Sequence, residues 1–195
     1  RGCPMRERII LSLYDYSGRW SEPYREAGYT VVQADLKLGQ DVRLLKYAAT
    51  NNIWGILSAP PCTEFAVSGA RWWREKEAKG NQQLLDAIAM VDAVLRMVVL
   101  YKPEWWVLEN PVGRAKDWIG HSVFTFNPCD YAGWNTTDMR EDMYTKRTCL
   151  WGEFNEPEKK WLPPVDGSKM HKMYGGKSDK TKELRSLTPR GFARA

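Results

Sequence analysis

Residues 53–62 of the chain read IWGILSAPPC. The run from residue 53 to 59 is largely apolar, which is typical of a strand buried on both faces of a parallel sheet. Pro60 and Pro61 end this strand, because proline has no backbone N–H to donate within a sheet. The sequence therefore predicts a central strand that delivers Cys62 to the edge of a sheet.

The pattern continues on both sides of this stretch, where further strands alternate with helices. Predicted strands cover residues 9–14, 29–35 and 105–108, and predicted helices run from Ser21 to Gly28 and from Gln82 to Tyr101. Such alternation is typical of α/β folds with a parallel sheet and crossover helices. Beyond Gly120, residues 121–126 and 148–151 resemble strands with no clear helix between them, which favours antiparallel pairing. The predicted fold is α/β, mostly parallel with an antiparallel edge.

The composition is that of one globular domain. The chain has 195 residues, of which 43% are hydrophobic and 27% charged, enough for one packed core and too few for two ordinary domains. We expect a core of residues 1–154, a Lys-rich loop of residues 155–183, and the start of a C-terminal helix of the same core in residues 184–195. The most apolar stretch, residues 84–101, carries charged side chains, so no membrane span is expected.

The charge balance is mildly basic, with 29 Lys and Arg against 24 Asp and Glu and a net charge of +5. That value is compatible with a polyanionic partner but does not require one. The Lys-rich loop has two interpretations. It is either an ordinary surface loop, or a segment that contacts nucleic acid through its lysines and through Trp161, His171 and Tyr174.

Cysteine usage favours a reducing compartment. The four cysteines form no CxxC pair and only two histidines could join them, so no metal site is expected. So low a cysteine density is unlike that of a secreted disulfide scaffold, and we expect no signal peptide before the first predicted strand. We therefore expect a cytoplasmic protein.

Polar residues that follow the predicted strands should meet at one edge of the sheet, where ligands bind in such folds. These are Tyr16-Ser17-Gly18, Asp35, Pro61-Cys62 and Glu109-Asn110. Gly18 followed by Asp35 is half of a nucleotide-binding pattern, because glycine admits a ligand to the backbone and the carboxylate accepts hydrogen bonds from ribose hydroxyls. The complete glycine-rich pattern is absent, so an ordinary strand–turn–helix is an alternative interpretation.

Cys62 and Glu109 are the candidate reactive pair. A cysteine nucleophile needs an acid–base partner, and a carboxyl group in an apolar surrounding can hold a raised pKa and carry a proton. The alternatives are a structural cysteine and a surface glutamate in a salt bridge.

Five motifs then occur in one order along most of the chain. They are Tyr16-Ser17-Gly18, Ala59-Pro60-Pro61-Cys62-Thr63, Glu109-Asn110-Pro111, Tyr144 to Trp151, and Leu187-Thr188-Pro189-Arg190. In this order the chain resembles the DNA (cytosine-5)-methyltransferases, especially small bacteriophage and bacterial members. The resemblance implies a Rossmann-like fold that binds S-adenosyl-L-methionine, DNA as the substrate, and a bacterial cell or a phage-infected host as the location.

The resemblance also implies a covalent mechanism and a set of site residues. The Cys62 thiolate would add to carbon 6 of cytosine, Glu109 would protonate ring nitrogen 3, and Arg147 would contact the cytosine carbonyl oxygen. Pro61, Thr63 and Asn110 would join Arg147 in binding the substrate. The implied cofactor-binding residues are Tyr16, Ser17, Gly18, Trp20, Asp35, Asp41, Val42 and Pro61, with Asp35 on the ribose and Asp41 near the adenine.

The family normally inserts a target-recognition domain between the motifs around Arg147 and Leu187. Here that interval holds only the Lys-rich loop, which is too short for a separate folded domain. A separate specificity subunit, a free cytosine nucleotide or RNA as substrate, and a catalytically silent module that binds DNA or a partner all remain open. The sequence does not determine the oligomeric state.

Overall fold

Residues 7–46, 52–165, 167–168 and 179–195 are described by a computed structural model of the chain. The strands are β1 (Ile9–Leu13), β2 (Thr30–Ala34), β3 (Ile53–Ser58), β4 (Trp105–Pro111), β5 (Phe124–Phe126) and β6 (Thr148–Glu153). The helices are α1 (Glu22–Glu26), α2 (Val67–Ala70), α3 (Trp73–Ala78), α4 (Gln82–Tyr101), α5 (Ala115–Ile119), α6 (Met139–Asp142), α7 (Asp179–Ser186) and α8 (Arg190–Arg194). Within the described residues, no helix is both long enough and apolar enough to span a bilayer.

The six strands form one sheet in the order β2-β1-β3-β4-β6-β5. Strands β1 to β4 are mutually parallel, whereas β6 is antiparallel to both β4 and β5. The reversed strand therefore lies one position inside the sheet's edge. The predicted fold class, a Rossmann-like α/β sheet that is mostly parallel with an antiparallel edge, is confirmed.

Strand β3 lies near the centre of the sheet because its apolar side chains can be buried on both faces. Ile56 and Leu57 point to opposite faces and are almost inaccessible to solvent. Gly55 is required here, because a Cβ atom at this position would overlap the ring of Trp105 on the neighbouring strand. This packing fixes the strand whose end carries Cys62.

Helix α4 covers one face of the sheet. Its buried side chains, including Val91, Val94 and Met97, pack in one cluster with Leu11 of β1 and Leu108 of β4. The helix has the bounds predicted for it, and it ends two residues before Pro103, where the chain turns into β4.

Helices α1 and α8 lie on the other face, around a cluster of aromatic side chains. Phe192 of α8 stacks on Phe126 with ring centroids 4.1 Å apart and contacts Tyr131 at 5.5 Å and Trp20 at 5.7 Å. The last helix is therefore part of the core rather than an appendage.

The part of the predicted Lys-rich loop that the structure describes packs on the domain. The backbone of Lys160 donates to the carbonyl oxygen of Asp130 and accepts from Gly133, both at 2.9 Å, and Leu162 donates to Cys129 at 3.0 Å. Lys159 and Lys160 also lie over aromatic rings. We call residues 156–165 the strap.

The strap gives limited support to the interpretation of the loop as a nucleic-acid segment. Trp161 is exposed, as that interpretation requires. However, the lysines of the strap, Lys159 and Lys160, are balanced by Glu156 and Glu158. His171 and Tyr174, which were part of the same prediction, lie outside the described residues.

Candidate active site

Cys62 is placed by the end of β3. The first backbone N–H after this strand, that of Ala59, donates to the carbonyl oxygen of Leu13 at 3.1 Å, so the loops after β1 and β3 begin side by side. The carbonyl oxygen of Cys62 accepts hydrogen bonds from Phe65 at 3.1 Å and Ala66 at 2.8 Å, which closes a turn. The Cys62 side chain is half-buried at the edge of the sheet, as predicted.

The loop around Cys62 is fastened to β4 and to the residues that follow it. The buried Asn110 side chain donates from Nδ2 to the carbonyl oxygen of Pro60 at 3.0 Å. Beyond the strand, the N–H of Arg114 donates to the carbonyl oxygen of Phe65 at 2.7 Å. A Cβ atom at Gly113 would overlap that same oxygen, so glycine allows the two loops to approach each other.

Glu109 lies inside β4, opposite Leu150 of β6, rather than beyond the end of the strand. Burial raises the pKa of the Glu109 carboxyl group, and the positive charge of Lys146 offsets part of this effect. A carboxyl group with a raised pKa can keep its proton and donate it to a bound ligand.

Cys62, Glu109 and Lys146 form one electrostatic group. Burial is the main cause that raises the pKa of the Cys62 thiol; Lys146 lowers it, the Glu109 charge raises it, and Arg185 lowers it. The ammonium group of Lys146 donates to the carbonyl oxygen of Arg185 at 3.3 Å, which ties the end of α7 to this group. The structure thus brings the two predicted reactive residues together under a shared cation.

Lys146 was missed by the sequence reasoning, which selected its neighbour Arg147. Arg147 is exposed, and its carbonyl oxygen accepts a hydrogen bond from the N–H of Val112 at 3.3 Å. Burial raises the pKa of Cys149, and the charge of Arg147 opposes part of this rise. The only sequence signal for Lys146 is its position next to Arg147 in the Tyr144–Trp151 motif. Thr63, a predicted substrate-binding residue, is exposed beside Cys62.

The loop after β1 is organised by Asp15, a second residue that the sequence reasoning missed. Its buried carboxylate accepts hydrogen bonds from the hydroxyl groups of Ser12 at 2.9 Å, Ser21 at 2.8 Å and Ser17 at 3.4 Å. Ser21 lies at the N-cap position of α1, but its hydroxyl group donates to Asp15 and does not cap the helix. Gly18 follows with a φ of 68°, a left-handed conformation that favours glycine.

Tyr16 and Asp35 lie at the carboxyl ends of β1 and β2, as predicted. The ring of Tyr16 is 45% exposed, and the ammonium group of Lys37 lies 4.5 Å from its centroid. Lys37 also pairs with Glu183 of α7 at 3.2 Å. Helix α7 therefore contacts both this region and, through Arg185, the group around Cys62.

The two predicted cofactor acids differ in their surroundings. Oδ1 of Asp35 accepts the N–H of Lys37 at 2.8 Å, and its Oδ2 accepts no hydrogen bond from a described residue. Both oxygens of Asp41 are held by Arg43, at 3.0 Å and 2.7 Å. Val42, which lies between Asp41 and Arg43 in the sequence, is buried.

Tyr14 is a third residue at this edge that the sequence reasoning did not select. Its hydroxyl group donates to the carbonyl oxygen of Met90 at 2.9 Å, and its φ is 58°. Burial is the main cause that raises the pKa of Tyr14, and the charges of Asp41 and Asp35 raise it further. The charges of both predicted cofactor acids thus act on one aromatic side chain.

Trp20 is the predicted cofactor residue whose surroundings fit that role least. Its side chain is 4% exposed and packs against Phe192 in the core. The neighbouring Arg19 forms an ion pair with Glu141 at 2.7 Å.

No family model matches the chain, and no curated protein sequence matches it. Two solved structures that match it are described as methyltransferases. One, a candidate DNA modification methyltransferase encoded within an E. coli prophage, has 14% sequence identity and a TM-score of 0.48, with 81% of this chain and 52% of that chain covered. The other, Entamoeba histolytica methyltransferase EhMeth, has 10% identity and a TM-score of 0.46, with 84% and 58% covered. This chain therefore spans little more than half the length of either protein.

Proposed function

We propose that the chain transfers a methyl group from S-adenosyl-L-methionine to carbon 5 of cytosine in DNA through a covalent adduct with Cys62. The observation that carries the proposal is the half-buried Cys62 thiol grouped with the Glu109 carboxyl group and the Lys146 ammonium group at the carboxyl ends of β3 and β4. A nucleophile, a proton donor and a cation are the groups that this chemistry requires.

Covalent addition is needed because carbon 5 of cytosine is a poor nucleophile. The Cys62 thiolate forms a bond to carbon 6, and the π electrons of the 5,6 double bond move towards carbon 5. Glu109 donates its proton to ring nitrogen 3, which accepts the displaced electron density. Transient addition of this kind divides one difficult step into easier ones.

When bound, S-adenosyl-L-methionine supplies an electrophilic methyl group on a positively charged sulfur. Once carbon 5 carries this methyl group, its hydrogen leaves as a proton to solvent. The remaining electron pair restores the 5,6 double bond and expels the Cys62 thiolate, while nitrogen 3 returns its proton to Glu109. The enzyme is then in its starting state.

Lys146 assists both protonation changes in this proposal. Its positive charge lowers the pKa of Cys62, which favours the attacking thiolate over the thiol. The same charge opposes part of the rise that burial causes in the pKa of Glu109, so this carboxyl group gives its proton to the cytosine ring more easily. The proposed substrate-binding residues remain Pro61, Thr63, Asn110 and Arg147.

The residues at the ends of β1 and β2 fit the cofactor. The available Oδ2 of Asp35 can accept hydrogen bonds from ribose hydroxyl groups, and the exposed ring of Tyr16 and the backbone at Gly18 lie at the same edge. Asp41 and Val42 are proposed to lie near the adenine, with the Asp41 carboxylate held in place by Arg43.

The substrate is tested by offering several cytosine-containing molecules in parallel. Duplex DNA, single-stranded DNA, RNA and dCMP are each incubated with the protein and S-adenosyl-L-methionine, and the nucleosides are analysed by mass spectrometry. We expect 5-methylcytosine in DNA with the wild-type protein and none with Cys62→Ser. Since a base inside a duplex must first leave the helix, single-stranded DNA is expected to react at least as well.

Two other outcomes would overturn parts of the proposal. Product in dCMP or RNA alone would replace DNA as the substrate. No product in any sample, while a control methyltransferase is active on the same substrates, would contradict the enzymatic function and favour a binding module. Salt-sensitive retention of DNA would then identify the partner of that module.

A further inference from the structure

The loop that carries Tyr16 and Gly18 is held from outside by two contacts. Arg19 Nη1 lies 2.7 Å from the Glu141 carboxylate, and these side chains are only 20% and 35% exposed. The next residue, Trp20, packs its ring 5.7 Å from that of Phe192. Both contacts are made by the two residues that directly follow Gly18.

The partners of this loop are themselves fixed to one another. The backbone N–H of Gly191 donates to Asp142 at 2.8 Å, which joins α8 to α6. A Cβ atom at Gly191 would overlap the carbonyl oxygen of Tyr131, so glycine permits this close packing. Arg190 of α8 lies 3.9 Å from the same Glu141 that binds Arg19. Helices α6 and α8 therefore form one support beneath the loop.

The contact extends to the helix that follows the loop. Arg190 Nη1 pairs with Glu22 at the start of α1 at 2.6 Å. The loop is thus held at its start by the hydrogen bonds of Asp15 and at its end by Glu141, Phe192 and Arg190.

We propose that Glu141 and helix α8 act as a clamp that holds the loop at residues 15–20 in its cofactor-binding conformation. Arg19, Glu141 and Phe192 are then positioning residues: they act through the loop and do not touch the cofactor. The two anchored residues directly follow Gly18, so their contacts hold this glycine in its left-handed conformation. This inference rests on the proposed cofactor, and it adds an element that controls the affinity for it.

The test is a double-mutant cycle on the Arg19–Glu141 pair. The affinity for S-adenosyl-L-methionine is measured by titration calorimetry for the wild-type protein, Arg19→Gln, Glu141→Gln and the double variant. A partly buried ion pair that acts through the loop should give each single variant a dissociation constant about 3- to 10-fold higher. The double variant should bind the cofactor no more weakly than the weaker single variant, because both changes remove the same Arg19–Glu141 ion pair.

The matched control is Arg194→Gln on the same helix. Arg194 forms a two-fold contact with Glu26 of α1, at 2.8 Å and 3.0 Å, and does not touch the loop. We expect its cofactor affinity to equal that of the wild-type protein. If α8 had a merely structural role, all variants, including Arg194→Gln, would have a lower melting temperature and a smaller active fraction. The dissociation constant of the remaining active protein would then equal that of the wild-type protein in every variant.

A second readout does not need the cofactor. Amide hydrogen exchange of Gly18 to Trp20 should be faster in Arg19→Gln and Glu141→Gln than in the wild-type protein, and unchanged in Arg194→Gln. Wild-type affinity together with unchanged exchange in the two loop variants would overturn the clamp and leave the proposed function intact. If the wild-type protein does not bind S-adenosyl-L-methionine, the proposed function fails, and the exchange rates alone decide whether the loop is clamped.

Discussion

The side-chain amide of Asn110 donates a hydrogen bond of 3.0 Å to the backbone carbonyl oxygen of Pro60. This bond joins the residue beside Glu109 to the residue two positions before Cys62. It is buried, and Oδ1 of Asn110 has no hydrogen-bond partner among the described residues, so the Nδ2 bond alone orients the amide. This side-chain hydrogen bond therefore helps to set the separation of the two reactive residues, together with the pairing of β3 with β4 and the bond from Arg114 to Phe65.

Replacement of this amide should separate activity from stability. Asn110→Ala leaves the Pro60 carbonyl oxygen buried without a partner, which costs about 1–3 kcal/mol, and it frees the loop that positions Cys62. We expect kcat to fall more than about tenfold, since a small displacement of a reacting group is costly.

Ser58→Ala is the matched control for Asn110→Ala. The Ser58 hydroxyl group donates to the carbonyl oxygen of Val107 at 2.9 Å, also between β3 and β4 but below the loop. This control should lose stability in urea unfolding while kcat stays near the wild-type value. An equal loss of kcat in both variants would show that Asn110 has no special positioning role.

Glu109→Gln should lower turnover more than about tenfold, because the amide cannot give a proton to ring nitrogen 3. Burial raises the pKa of Glu109, so its proton is lost only as the pH rises through that raised value. Wild-type activity should therefore contain a decrease at high pH that the variant lacks. A turnover rate in Glu109→Gln equal to the wild-type rate would remove this residue from the mechanism.

Lys146→Met should move the pH–rate profile. Its charge lowers the pKa of both Cys62 and Glu109, so its removal raises both pKa values. The rise in kcat/KM that reports ionisation of the thiol should shift to higher pH, and so should the decrease assigned to Glu109. The profile is measured with saturating cofactor between pH 6 and 10.

Arg147→Met is the control for Lys146→Met. Arg147 is exposed and acts on Cys149 rather than on the reactive pair, so its loss should leave the pH dependence in place while it raises the KM for DNA. A shift of the profile with Arg147→Met and none with Lys146→Met would reverse the two assignments.

Asp142→Asn should change stability in a pH-dependent way. Burial raises the pKa of Asp142, so the folded protein holds this proton more tightly than the unfolded chain. The free energy of unfolding should therefore decrease as the pH rises from the unfolded pKa, about 4, through the raised folded value. Asn135 and Gly191 both donate to Oδ2 at 2.8 Å, so the carbonyl oxygen of an asparagine can accept both bonds.

Urea unfolding at pH 5 and pH 8 checks this prediction. The stability of Asp142→Asn relative to the wild-type protein should be greater at pH 8 than at pH 5. An equal stability difference between the variant and the wild-type protein at pH 5 and at pH 8 would mean that the pKa of Asp142 is the same in the folded and unfolded chain.

The sequence was sufficient for the elements with a strong hydrophobic pattern. Strand β3 and helix α4 were predicted because a continuous apolar run and a long helical pattern leave little choice. Strand β4 was predicted to end at Leu108 but continues to Pro111, because pairing with β6 incorporates polar residues with little strand propensity of their own. The short helices α2 and α3 lack a helical apolar pattern and were not predicted.

The sequence predicted those residues of the candidate site that lie at the ends of strands. Cys62 and Glu109 share an electrostatic environment because both follow the point where the parallel pairing of β3 with β4 ends, at Ser58 and Leu108. Lys146 was not predictable, because the choice between adjacent cations depends on the direction of each side chain. Trp20 lies in the core because its ring packs against that of Phe192. Phe192 is distant in the sequence, so no local pattern predicts this contact.

The covalent role of Cys62 is tested most directly with DNA that contains 5-fluorocytosine. Fluorine cannot leave carbon 5 as a proton does, so the methylated adduct keeps its bond to Cys62 and remains attached to the DNA. In the presence of S-adenosyl-L-methionine we expect a denaturant-resistant protein–DNA adduct with the wild-type protein, and mass spectrometry of its peptides should locate the bond at Cys62. Cys62→Ser should form none. An adduct that persists in Cys62→Ser, or no adduct with a wild-type protein that methylates ordinary DNA, would contradict the proposed mechanism.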